Sequence, residues 1–194
     1  RLDGVVHDFG TTGNVRKSDL VMWDRQTETW WQQLTGEGIV GTLAGKKLTF
    51  LPASVISWED FKAANPGGQV LSRDTGFGLP YGQNPYEGYD RVDNPPFLFD
   101  GDLDGRLQPK ERVAAITVDG VDAAFPFSIL AEEGTINYPV NGVGVAVFFK
   151  RGTSSALNAK SIAFSDDIGS TAVFNAVLDG QKLTFSAGGD GFTD

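Results

Sequence analysis

Residues 18–41, SDLVMWDRQTETWWQQLTGEGIVG, pack three of the chain's four tryptophans between turn signals and leave no stretch long enough for a helix. The apolar run Leu20-Val21-Met22-Trp23 is followed at once by Asp24-Arg25-Gln26-Thr27, so it reads as a short buried strand ending in a turn. Thr29 to Leu34 returns as its partner, and Gly36, Gly38 and Gly41 bracket a further strand at Ile39-Val40. Lys47 to Pro52 alternates polar and apolar residues and is expected to be the next strand.

The same punctuation recurs along the chain. Asp119-Gly120 separates Arg112–Val118 from Val121–Phe127, the sharpest hairpin signal present. Val143 to Phe149 is continuously apolar, as expected of a central strand, and Ser161–Phe164, Ala172–Leu178 and Lys182–Ser186 continue the series, with Asp179-Gly180 joining the last two. One helix is expected near 57–65: Ser57 caps it, Trp58, Phe61 and Ala64 share a face, with Trp58 and Phe61 as core anchors, and Asn65-Pro66-Gly67-Gly68 ends it. Residues 72–110 lack periodicity, yet hold five of the nine prolines and three of the four tyrosines, which predicts a long ordered loop. The fold class is therefore mainly β, antiparallel sheets in a sandwich or barrel-like arrangement.

A length of 194 residues suits a single β-rich domain. Leu178-Asp179-Gly180, Phe185 and Gly189 repeat Leu2-Asp3-Gly4, Phe9 and Gly13 at a constant offset of 176. That repeat predicts the middle of a duplicated unit: a first copy over about 1–72, a connecting loop over 73–110 and a second copy over about 111–194. Arg1 rather than Met at the start is expected of a processed chain or of a piece of a longer one. Strands left without neighbours would then pair with a second copy or with a partner chain that completes the sheet.

A net charge of −9 without a Lys/Arg cluster excludes a nucleic-acid partner. The absence of cysteine excludes disulfides and zinc-thiolate sites within the chain, and no apolar run reaches the roughly 18 residues of a membrane span. His7 has no sequence neighbours that make a triad or metal set, and Gly10–Asn14 lacks the ending of a phosphate loop.

Asp100, Asp102, Asp104, the Arg106 carbonyl, Gln108 and Glu111 match every position of a calcium loop, with Gly105 at the sharp turn. Calcium is the expected cofactor, pinning the loop; the other reading is a solvated acidic turn. Tyr81, Tyr86 and Tyr89, with Trp30 and Trp31, are candidate ligand-binding residues, since such rings combine an apolar face with a polar tip. The tyrosines can equally staple the loop to the core. Asp24 and Glu37 could supply acid-base carboxylates, but Asp24 also fits a plain turn residue, and no catalytic set is assigned.

The run SDLVMWDRQTETWWQQLTGEGIVGTLAGKKLTFLPA, then SWEDFKAANPGGQVLS, RDTGFGLPYGQNPYEGYD and RLQPKERV, resembles the prokaryotic family defined as domain of unknown function 3179. The resemblance runs in order through most of residues 9–149. It implies an exported protein, extracellular, periplasmic or at the cell surface. It also implies an upstream Cys-Pro-Leu-Cys segment, absent from this chain, and a second, weaker copy of the strand pattern. No reaction and no calcium follow from it. The expected function is an exported, calcium-stabilised β-rich module that binds a protein or glycan or serves structurally. The alternatives are a carboxylate-based hydrolase and a metal or redox accessory protein acting through that absent segment.

Overall fold

The computed structural model describes residues 2–188 and 191–193. Among these the chain is mainly β, with antiparallel strands and two short helices, and it divides into two units, Arg1–Ala53 with Asn94–Pro109 and Ser54–Asp93 with Lys110–Asp194.

In the first unit β1 (Phe9–Arg16), β2 (Asp19–Asp24), β3 (Trp30–Gln32) and β4 (Glu37–Val40) form one sheet in chain order. Successive strand residues point to opposite faces, so the adjacent tryptophans of β3 part company: Trp31 is 0% exposed and Trp30 39%. Register assigns the rest, with Trp23 opposite Trp30, Met22 opposite Trp31 and Val21 opposite Gln32. Gly38 pairs with Trp31, and a Cβ there would lie 2.4 Å from the Leu43 carbonyl oxygen. Only glycine lets the 41–45 turn fold that close to the sheet.

In the second unit α1 (Trp58–Ala64) precedes a hairpin of β5 (Val113–Val118) and β6 (Val121–Pro126). Next come α2 (Phe127–Glu133) and a sheet of β7 (Thr135–Val140), β8 (Val143–Lys150) and β9 (Ser170–Asn175), β8 in the middle. Two short hairpins follow, β10 (Val177–Leu178) with β11 (Gln181–Lys182) and β12 (Ser186–Gly188) with β13 (Gly191–Thr193). Val145, Val147 and Phe149 of β8 enter a core with Ala114, Phe125, Leu130 and Val140. On the opposite face Phe148 meets the rings of Phe174, Phe185 and Phe192 at 5.9, 5.2 and 4.7 Å. Apolar contacts on both faces are why β8 reads as an unbroken apolar run.

Asp119 and Gly120 both take positive φ, 47° and 82°, between the directly paired Val118 and Val121, the geometry a two-residue hairpin requires. Asp3-Gly4 and Asp179-Gly180 adopt the same conformation. So does Asn141-Gly142, the β7–β8 turn. A turn shared this widely does not by itself establish duplication, and Gly189 of the proposed repeat lies outside the described residues.

Several expectations are corrected. Leu48–Pro52 forms no strand; Lys47 makes a single bridge to Glu37. Ile162–Phe164 is a 3-10 turn, and Leu183–Phe185 separates β11 from β12. Alongside the expected helix, α2 directly continues from β6, a change that an alternating apolar pattern through Phe127 does not announce. α1 buries no residue: Trp58 is 48% exposed and stacks on Phe61 at 5.5 Å instead of entering the core. Its start is nonetheless capped as expected, the Ser57 hydroxyl accepting from the Asp60 N–H at 3.1 Å. Because α1 is peripheral, Ser57→Ala is expected to accelerate amide exchange at Phe61–Asn65 by about fivefold, for a cap worth about 1 kcal/mol. The global unfolding midpoint should stay put; a matching fall in that midpoint would show that α1 unfolds only with the core.

Candidate functional site

The covered face of the first unit's sheet is built around an anion. Asp24 ends β2 at 0% exposure, and its carboxylate is surrounded by donors. The Trp31 indole N–H donates to Oδ2 at 2.9 Å, and the Thr27 backbone N–H to Oδ1 at 2.7 Å. The Thr27 hydroxyl lies 2.8–2.9 Å from both oxygens, and His7 Nδ1 3.2 Å from Oδ1. Burial pushes the carboxyl up, but the bonds from Trp31, Thr27 and His7 outweigh it and hold the group at about 2. An ionised carboxylate only accepts, so His7 must carry its proton on Nδ1. The hydroxyls then order in one direction: Leu43 N–H to Thr29 Oγ1 at 3.2 Å, Thr29 to Thr27 at 2.7 Å, and Thr27 to Asp24. Phe9 closes the cluster edge-on to Trp31 at 6.0 Å.

This hub is more than the turn residue read from sequence, and it is closed to ligands. Its His-Asp pair resembles the orienting half of a catalytic triad, but the His7 side chain is only 7% exposed and Asp24 is wholly buried. The local signal was the Asp-x-x-Thr spacing, which lets the Asp24 carboxylate accept from the Thr27 N–H three residues on; nothing in the sequence pointed to His7 seventeen residues earlier.

The other face is open. Val21 and Gln32, 3% and 5% exposed, lie on it; Trp30 and Val40 rise beside them, and Glu37 and Arg16 stand at its ends. The Gln32 amide fixes Arg16 twice, accepting from its guanidinium and donating to its carbonyl at 3.2 Å. Arg16, Val21, Trp30, Glu37 and Val40, with Asn14 and the Ala44-Gly45 turn, bound a cleft of about 630 Å³. Trp23 carries the Arg25 guanidinium at 5.1 Å, Trp31 packs with Phe9, and Trp58 stacks on Phe61. Among the described residues Trp30 alone of the tryptophans has neither ring nor cation against it.

The tyrosine loop belongs to the second unit and is pinned by polar side chains as well as by its rings. Asn84, 5% exposed, donates to Ala159 O and accepts from the Tyr86 N–H, while its own N–H reaches Lys160 O at 2.7 Å. Asp90 accepts from Arg112 at 3.1 Å and from the buried Ser155 hydroxyl. Tyr86 is 66% exposed and tilts over Tyr89 at 6.4 Å; Lys110 sits 4.2 Å above the Tyr89 ring, and the Tyr81 hydroxyl is bonded to Thr75.

In the acidic loop Asp104 and Glu111 have hydrogen-bond partners within the chain. Asp104 accepts from the Arg106 guanidinium Nε at 2.9 Å and from its backbone N–H at 3.0 Å, bonds that lower its carboxyl to about 2. Glu111 accepts from the Ser128 N–H at 3.1 Å, supplying the first turn of α2 with the cap that Pro126 cannot provide. Asp100, Asp102 and Gln108 are exposed. Among the described residues no three acidic or imidazole groups come together as a metal site. A loop that holds calcium is expected to give a calcium-selective rise in melting temperature that Asp102→Asn abolishes, because a ligand raises it only by binding the folded state. No shift in metal-free protein would return the loop to a solvated acidic turn.

A family model described as "Protein of unknown function (DUF3179)" matches residues 1–191. No curated protein and no solved structure matches the chain.

Proposed function

The chain belongs to the DUF3179 family, and since that family supplies no reaction to inherit, we propose from the geometry that it is a β-rich binding module whose ligand lies across the open face of β1–β4. The observation that carries this reading is Trp30: a large ring, 39% exposed, with neither a ring stacked nor a cation placed on it among the described residues, in a cleft shared with a guanidinium already fixed by Gln32. Exposed tryptophans of this kind dominate binding energies because they bring a large contact area at little conformational cost. An enzyme at this cleft has less support. Glu37 is the one carboxylate among the described residues lining it, whereas hydrolysis between two carboxylates needs a pair about 5–10 Å apart.

Export, the location the resemblance implies, belongs to the same proposal and is checked by fractionating cells that make the full-length protein. The binding reading is tested by presenting wild type and Trp30→Ala to one array of oligosaccharides and extended peptides. At least one class should be retained by the wild type and lost about tenfold or more by the variant, with melting temperatures matched. No probe that distinguishes the two proteins would remove the cleft from consideration.

A further inference from the structure

Resting on that binding site, we infer that its ligand is a neutral oligosaccharide, bound along its length rather than by an end. A pyranose ring has one face of C–H groups and a rim of hydroxyls, and it needs a flat apolar surface beside directional hydrogen-bonding groups. Trp30 supplies the surface, with its electron-rich face toward the partly positive C–H groups. Asn14, Arg16 and Glu37 supply a planar amide, guanidinium and carboxylate, each able to span two neighbouring hydroxyls. Arg16 and Glu37 are the charged residues among those lining the cleft, and they cancel. A neutral ligand matches that balance, and the overall charge of −9 disfavours a polyanion. Gly38 and Gly45 put backbone rather than side chain at the wall, so a chain can continue past the sheet.

A peptide is the main competitor, and its usual route onto a sheet is strand addition, which needs a free edge. The β4 edge is already used. Gly38 N–H donates to Lys46 O at 2.9 Å, Leu48 N–H to Gly36 O at 2.8 Å, and Lys47 bridges Glu37. The β1 edge is interrupted by an irregularity between Thr11 and Val15, with Gly13 at φ 76°. The recognition left open is by side chains on the face, which suits a sugar.

The test is calorimetric titration of the whole chain with neutral hexasaccharides of glucose, mannose, galactose and xylose in both anomeric linkages, alongside hexagalacturonate and extended decapeptides. We expect at least one neutral hexasaccharide to bind in the micromolar to millimolar range. Affinity should fall about tenfold or more in Trp30→Ala and less in Trp30→Phe, should be unchanged in Trp58→Ala, and should shift less than about twofold between 0.05 and 0.5 M salt. Trp30-dependent binding of the decapeptides or of hexagalacturonate alone would overturn the sugar while leaving the cleft as the binding site. Silence from every probe would overturn both. Sugar binding indifferent to Trp30 would place the ligand elsewhere and overturn the inference.

Discussion

Asp24→Ala is expected to cost the first unit about 3 kcal/mol or more, enough to leave it largely unfolded in mild denaturant. The substitution removes the shared acceptor of the Trp31 indole, Thr27 and His7 while leaving those donors buried. Each stranded donor costs about 1–3 kcal/mol, and a typical domain has only about 5–15 in hand. Trp31→Phe keeps most of the ring volume and removes only the N–H, so it should cost less. The double variant should then be less damaging than the sum, by about 1 kcal/mol, because both changes delete the same bond. Strict additivity in urea unfolding would show that the indole bond contributes nothing. The pH dependence has a definite sign. The carboxyl is near 2 in the folded chain and near 3.9 unfolded, so its contribution is complete above about pH 4 and is lost as pH falls through about 2. The gap in stability between wild type and Asp24→Asn should therefore narrow from pH 5 to pH 2; a constant gap would mean the carboxylate's charge is immaterial.

Leu130→Ala should produce a loss of about 2–5 kcal/mol in the second unit. Leu130 is 0% exposed and is the one buried residue of seven-residue α2, set among Phe125, Val140, Val147 and Phe149. Truncation leaves a cavity lined by groups held on three different strands, which cannot all collapse inward. A helix this short has no stability of its own, so α2 should lose amide protection together with the core. Ile129→Ala, one residue away and 49% exposed, is the control and should cost under about 0.5 kcal/mol. Equal effects at the two positions would mean α2 is not docked through Leu130.

Much of the fold was legible because it depends on near neighbours. Asp119-Gly120 and Asp179-Gly180 announce hairpins since those residues tolerate positive φ, and the run over Val143–Phe149 announces a strand covered on both faces. Local pattern failed where packing decides. Trp58 and Phe61 have the spacing of a buried helix face, yet they stack on each other outside the core. Glu111 caps the first turn of α2, an element the sequence did not reveal.

What the sequence determined by itself is therefore the class of backbone: antiparallel strands, their turns, the capped start of α1, and a net charge of −9. Those follow from φ preferences, periodicity and net charge, all properties of residues close in the chain or summed over it. Tertiary structure alone decided which of two adjacent tryptophans would be buried with Asp24 and which left facing a cleft. It also brought His7 to Asp24 and gave Glu111 to α2. Each of these joins groups distant in sequence through hydrogen bonds whose partners only the folded sheets bring within 3 Å or so, and a linear pattern carries no record of that distance.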